Sequence, residues 1–212
     1  MGRRRIWFWL LEALLWLGFL VLDFYQAMDT KAIKFAAILL CALFAVWESG
    51  DRDSRLIAWA LSLSVLADVF LLLLDRWYPI GVGIFLIVQI IHTIRLCGLR
   101  GLKPKADLIL RIIIAALAVA ATVQFGFLAM LSAAYISWFG LNVAEALIFA
   151  RTKRSSTAAL YAAGLILYFC CDLCVGLNNL SPSPITNIAM WAFYLPGQVL
   201  IASSANPEVS ST

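Results

Sequence analysis

Apolar runs long enough to form membrane-spanning helices recur along nearly the whole chain of 212 residues. Hydrophobic side chains make up 64% of the sequence and charged ones 13%, whereas a soluble domain has about 45–50% apolar and 25% charged residues. One globular core cannot bury so much apolar surface. The runs also lack the alternation of a transmembrane strand, which excludes a β-barrel. We therefore predict an all-α polytopic membrane protein.

The apolar runs divide into eight predicted transmembrane helices within a single membrane domain, residues 1–212. Short connections rich in turn-forming residues separate them, for example at Tyr78-Pro79 and between Ser181 and Pro184. The spacing predicts no soluble domain and no long linker. The predicted spans are 6–22, 33–47, 56–74, 80–96, 108–123, 127–150, 158–177 and 186–203.

Basic residues indicate how the chain crosses the membrane. With the N-terminus inside, thirteen of the sixteen Lys and Arg residues fall in cytoplasmic segments, and only Lys31, Lys34 and Arg76 fall outside. This bias predicts that both termini are cytoplasmic. It also accounts for the net charge of +4 without a nucleic-acid partner. We interpret the first span as an uncleaved helix with a basic anchor, and we expect the protein in the cell membrane.

Two aspartates lie inside predicted spans, Asp68 in the third and Asp172 in the seventh. A carboxylate at membrane depth is costly, so such residues usually face the bundle interior and serve a function. Both are predicted to lie roughly 8–9 Å below the outer surface. They occupy matching positions when helices 1–4 are superposed on helices 5–8, which suggests a parallel 4+4 internal repeat.

Several other polar residues are predicted near the two aspartates. Lys34 lies near the outer end of the second span, and Gln89 and Gln198 lie near mid-membrane. We expect these groups to converge in one cavity in the outer half of the bundle. Glu12 and Glu145 are interpreted as structural or snorkelling residues.

Five short blocks, in this order, carry a resemblance to a known family. The sequence resembles the YhhN-type membrane proteins, which include the lysoplasmalogenases. The resemblance covers most of the chain. The blocks are 66–72 (LADVFLL), 81–85 (GVGIF), Tyr135, 163–172 with its Ala-Gly and Cys-Asp pairs, and 193–198 (FYLPGQ).

The chain departs from the family pattern at three positions. Where the family commonly has His and Tyr on the fourth helix, this chain has Gln89 and His92. Phe35 replaces a proline that usually follows the lysine corresponding to Lys34. These changes affect the expected substrate more than the expected fold.

The resemblance implies hydrolysis of the vinyl-ether bond of lysoplasmalogens, which gives a fatty aldehyde and a glycerophospho-alcohol. Such a bond breaks by protonation of its β-carbon and attack of water on the resulting oxocarbenium ion. A pair of carboxyl groups suits this chemistry, as in glycosidases, and an apolar site favours the protonated form of one of them. The expected catalytic residues are Asp68 and Asp172, with no metal or cofactor. The expected substrate-binding residues are Lys34, Gln89, His92, Tyr135, Tyr194 and Gln198.

Two other functions fit the same sequence. A proton-coupled carrier or a lipid-binding protein without catalysis also uses paired intramembrane acids in a repeated bundle. A membrane thiol oxidoreductase fits the Cys171-x-x-Cys174 pair, although buried cysteines often act as small apolar residues. The partners that we expect are the bilayer and a lysophospholipid or other lipid. The oligomeric state is not predicted.

Overall fold

The protein is a bundle of long α-helices in a computed structural model that describes residues 3–26, 28–101 and 104–205. This part of the chain contains no strand. A π-helical turn, Val69–Leu73, extends α3, and a 3₁₀ turn, Val123–Phe125, follows α5. The helices are α1 (Arg3–Phe24), α2 (Lys31–Trp47), α3 (Arg52–Asp68), α4 (Tyr78–Arg100), α5 (Pro104–Thr122), α6 (Phe127–Lys153), α7 (Ser156–Leu180) and α8 (Pro184–Ser203).

Seven of the helices in the described ranges are long and apolar enough to cross a membrane. The protein is therefore an integral membrane protein of the all-α class, as predicted. Helices α2 and α3 have 17 residues each, but the π-helical turn lengthens α3 to a 22-residue span. The short helix α2 is the one that is not among the seven. The number of crossings, eight, stays a prediction.

Most helices begin a few residues before the apolar runs that predict them, and polar side chains cap some of these helix starts. Asp51 caps α3 by accepting a hydrogen bond from the Ser54 backbone nitrogen at 2.7 Å, so that α3 begins four residues before the predicted span. Ser155 caps α7 in the same way, through the backbone nitrogen of Ala158 at 3.2 Å. Such caps supply acceptors to N–H groups that have no partner within the helix.

Consecutive helices run in opposite directions, so the bundle has two distinct ends. At one end, the Arg5 side chain donates to the backbone oxygen of Ala205 at 2.7 Å, and Arg95 contacts both Asp53 and Ser204. We call this the basic end, because most Lys and Arg residues lie there. Of the residues assigned to the cytoplasmic side, Lys103 and the side chain of Lys105 lie outside the described part. The opposite end carries Asp23, Lys31, Asp75 and the start of α8, and we call it the cavity end.

Helices α7 and α8 form the closest helix pair. A Cβ atom at Gly164 would lie 2.9 Å from the backbone oxygen of Gly197 and 3.0 Å from the backbone nitrogen of Ile201. Small residues permit this approach, which drives helix association in a membrane. The pair fixes the spacing between Asp172 on α7 and Tyr194 on α8. Helix α5, in contrast, packs mainly on α6 at the side of the bundle.

Candidate functional site

Asp68 is buried at the point where α3 changes from an α-helix to a π-helical turn. Its side chain is only 5% exposed, and its Oδ2 accepts a hydrogen bond from the Tyr194 hydroxyl at 2.7 Å. The turn is defined by the bond from the Leu74 nitrogen to the Val69 oxygen at 2.9 Å. Turns of this kind occur frequently at functional sites. They redirect the helix directly after the carboxyl group.

Asp172 extends from α7 toward the same region. Its Oδ2 accepts a hydrogen bond from the Tyr135 hydroxyl on α6. The two tyrosines belong to one aromatic cluster, because the Tyr168 ring lies 5.3 Å from that of Tyr194 and the Phe85 ring lies 6.2 Å from that of Tyr135. The two tyrosines are not equivalent under the predicted 4+4 repeat, since α8 would correspond to α4 and α6 to α2. Each aspartate therefore accepts a hydrogen bond from a tyrosine hydroxyl, but the two tyrosines do not occupy equivalent positions in the two halves of the repeat.

Aromatic side chains surround the two aspartates. The ring of Tyr168 lies 5.3 Å from the ring of Tyr194 and 5.9 Å from that of Phe85. Its hydroxyl is buried and has no hydrogen-bond partner among the described residues. A buried hydroxyl without a partner is uncommon. It is available to a ligand atom or a water molecule.

A cavity of about 710 Å³ opens at the cavity end, above the aspartates. Lys34 lies in its wall, and its Nζ is 2.6 Å from Oδ2 of Asp23. Asp23 also accepts a hydrogen bond from the Thr30 hydroxyl at 2.5 Å. The Lys34 side chain is 7% exposed and that of Asp23 is 11% exposed. The pair is thus almost completely enclosed, which requires the two charges to compensate each other.

Trp191 connects the cavity to the aspartates. It lines the cavity, and its ring lies 4.7 Å from Nζ of Lys34, at cation–π distance. On its other side, the ring lies 5.6 Å from that of Tyr194, which bonds to Asp68. Trp191 and Tyr194 are three residues apart and therefore lie on neighbouring turns of one face of α8.

Gln89 and His92 lie deeper in the bundle than the aspartates. Gln89 is fully buried, and its Oε1 accepts a hydrogen bond from Asn142 at 2.9 Å. Nδ1 of His92 lies 2.9 Å from the Tyr161 hydroxyl. Tyr161 and Asp172 are eleven residues apart on α7, so His92 lies roughly 16 Å along the bundle axis from Asp172. The structure thus places these two residues in a separate polar network.

Gln198 lies one turn below Tyr194 on α8 and is 1% exposed. Its Nε2 has no hydrogen-bond partner within the described ranges. Of the residues predicted from sequence, Tyr135 and Tyr194 thus bond to the aspartates and Lys34 lines the cavity, whereas Gln198 lies one turn farther along α8.

The separate network continues to the basic end through two buried arginines. Arg95 makes two hydrogen bonds of 2.8 Å to the Asp53 carboxylate. Arg111 is fully buried and lies 2.7 Å from both Asp107 and Glu145. Planar guanidinium groups suit such paired contacts. The interpretation of Glu145 as structural agrees with this placement.

Sequence reasoning did not assign Asp23, Tyr168 or Trp191 to the site. Asp23 lies one residue beyond the first predicted span, and Trp191 lies within the apolar run of the eighth. One sequence signal did exist for Asp23. It and Lys34 have opposite charges and lie at the adjoining ends of consecutive spans, where short connections bring helices together.

The remaining candidate chemistry involves cysteines. All five are free thiols, and Cys171, which precedes Asp172 in the chain, is buried. Among the described residues, no group of three His, Cys, Asp or Glu side chains is placed to hold a metal ion. The Asp68 and Asp172 carboxyl groups and the tyrosine hydroxyls bonded to them can donate, accept and transfer protons.

Comparison with known proteins gives one match. Residues 30–205 match the model of the YhhN family. This range begins at Thr30, before α2, and ends at Ala205, after α8, so it includes both aspartates and the cavity residue Lys34. No curated protein and no solved structure matches the chain.

Proposed function

The chain belongs to the YhhN family, and we propose that it hydrolyses the vinyl-ether bond of lysoplasmalogen-like lysophospholipids. The observation that carries this proposal is that Asp68 on α3 and Asp172 on α7 are each bound to a tyrosine hydroxyl, and that these two tyrosines belong to one aromatic cluster with Tyr168 and Phe85. Acid hydrolysis of a vinyl ether needs one proton donor and one group that activates water. Two carboxyl groups in different environments supply both functions.

The proposed reaction begins with proton transfer from one aspartic acid to the β-carbon of the vinyl ether. The electron pair of the double bond forms the new C–H bond, and the ether oxygen stabilises the resulting oxocarbenium ion. Water then attacks the cationic carbon while the second carboxylate accepts its proton. The hemiacetal that forms collapses to a fatty aldehyde and a glycerophospho-alcohol, and the proton count is restored.

The tyrosines have a positioning role in this proposal. The Tyr194 hydroxyl holds the Asp68 carboxyl group in one orientation, and Tyr135 does the same for Asp172. Each hydrogen bond leaves the second carboxyl oxygen for the substrate or water. The Tyr168 ring packs against that of Tyr194, and its hydroxyl, which has no partner among the described residues, is available to form a hydrogen bond with an incoming water molecule.

We further propose eight crossings with both termini cytoplasmic. The contact between Arg5 and the backbone of Ala205 supports an even number of crossings, because it holds the two ends of the described chain at one end of the bundle. The concentration of basic residues at that end supports its cytoplasmic orientation. The cavity end then faces the opposite side of the membrane.

The deciding experiment is incubation of the purified protein with a lysoplasmalogen in detergent micelles. We expect release of fatty aldehyde, measured by mass spectrometry. The matched substrate with a saturated ether in place of the vinyl ether should release none, because it cannot form the oxocarbenium ion by protonation. If neither substrate yields aldehyde at any pH, the protein is a carrier or lipid-binding protein instead of a hydrolase.

A further inference from the structure

The cavity above the aspartates combines opposite charges in a way that suits a polar lipid head group. Its charged lining residues are Asp23, Asp29, Lys31 and Lys34. Asparagine and serine side chains from the α7–α8 connection complete the opposite wall. The volume of about 710 Å³ lies within the range of pockets that enclose small organic molecules. The cavity thus offers charged and polar side chains of both signs to a ligand.

Lys34 is held in the cavity wall with donors left for a ligand. Asp23 engages its ammonium group on one side at 2.6 Å, and the Trp191 ring lies 4.7 Å away on another. A lysine ammonium has three N–H donors. The two contacts therefore orient the group and leave hydrogen-bonding capacity toward the cavity, which Lys34 lines.

The distance between this cavity and Asp68 matches the dimensions of a lysophospholipid. Leu72 lines the cavity four residues after Asp68, and Trp191 lines it three residues before Tyr194. The floor of the cavity therefore lies about 4.5–6 Å above the Asp68–Tyr194 pair along the helix axes. In a lysophospholipid, five bonds separate the sn-1 ether oxygen from the phosphorus atom, a span of roughly 6 Å.

From this geometry we propose that the cavity is the head-group subsite and that Lys34 binds the phosphodiester of the lipid. The inference rests on the proposed function, because the vinyl ether is assigned to Asp68 by the same geometry. Asp23 and Trp191 are positioning residues that hold the Lys34 ammonium at the wall. The phosphate at Lys34 then sets the depth at which the ether bond meets the aspartates, and the hydrocarbon chain continues toward the apolar part of the bundle.

Binding of two uncleavable lipids tests this subsite without requiring catalysis. The probes are a saturated 1-O-alkyl lysophospholipid and the 1-O-alkylglycerol with the same chain, which lacks the phosphodiester. We expect the wild type to bind the lysophospholipid at least about tenfold more tightly, and Lys34→Gln to bind both equally, since a charge-assisted contact is worth on the order of one decade.

Two further variants separate a binding role from a structural one. Asp23→Asn/Lys34→Gln removes both buried charges together, so it leaves no uncompensated charge and should fold, but it should also lose the preference for the phosphodiester. Arg76→Gln removes one positive charge at the same end of the bundle, outside the cavity, and should keep the full preference.

The results distinguish failure of the subsite from failure of the proposed function. A Lys34→Gln protein that retains the preference overturns the head-group assignment, whatever the wild type hydrolyses. Displacement of the lysophospholipid by inorganic phosphate at equal concentration also overturns it, because the cavity would then be a site for free anions. Normal head-group preference without aldehyde release from a lysoplasmalogen would leave the subsite in place and remove the hydrolase.

Discussion

Replacement of Asp68 by asparagine separates proton transfer from hydrogen bonding at the site. Asparagine has the same size as aspartate, and its Oδ1 can still accept the Tyr194 hydroxyl that now lies 2.7 Å from the carboxylate. The buried side chain, 5% exposed, would leave no cavity and bring no new charge. The variant is therefore expected to fold, and its activity reports on chemistry alone.

The two possible roles of Asp68 predict different magnitudes. If Asp68 only anchors Tyr194, the substitution exchanges one hydrogen bond for a similar one, worth about 0.5–1.5 kcal/mol, and the rate should fall by no more than roughly tenfold. If Asp68 gives or accepts a proton, the loss should be about 10²- to 10⁴-fold. We expect the larger loss in kcat, because an amide cannot transfer the proton.

The assay is the initial rate of aldehyde release from a lysoplasmalogen in detergent, with thermal unfolding as a check on folding. Asp75→Asn is the matched control. This control variant also replaces an aspartate by asparagine, seven residues after Asp68. However, the Asp75 side chain is 58% exposed and lies at the surface of the cavity end. A folded Asp68→Asn protein that keeps its rate within about tenfold of the wild type would refute the role of Asp68 in proton transfer.

Three other predictions concern topology, packing and the deeper polar network. A reporter fused to the C-terminus should behave as cytoplasmic, and an external location would mean an odd number of crossings or an inverted bundle. Gly164→Val should lower the free energy of unfolding by about 1–3 kcal/mol, because its side chain would meet the Gly197 backbone; a Gly18→Val control, with no neighbour within 4 Å of its Cβ position, should change it little. His92→Gln should leave the pH–rate profile unchanged, since His92 bonds to Tyr161 far below Asp172; loss of an activity limb near neutral pH would place His92 in the mechanism.

The helical class of the protein and most of its helix positions follow from sequence alone. Each predicted span overlaps one observed helix, because an apolar run of this length must satisfy its backbone polar groups internally in a membrane. The helix ends were less well predicted. Asp51 and Ser155 extend α3 and α7 through side-chain caps, which are local hydrogen bonds that hydropathy does not report.

That Asp68 and Asp172 need polar partners was also readable, because a carboxyl group inside an apolar run is costly wherever the helix lies. Their partners were not equally readable. Lys34 was singled out but Asp23 was not, although the two form one ion pair. Gln89 was expected beside the aspartates, whereas the structure pairs it with Asn142.

The difference has a physical reason. Hydropathy and the cost of a buried charge are properties of a single segment. The sequence by itself therefore determined that the protein is an integral membrane protein of the all-α class, and it determined which residues need hydrogen-bond or charge partners. Which groups become these partners depends on the rotation of each helix about its axis and on the depth of each helix in the membrane. Both are set by contacts between helices, such as that of Gly164 with Gly197. Only the tertiary structure placed Tyr194 on Asp68, Tyr135 on Asp172 and Trp191 between the cavity and the aspartates.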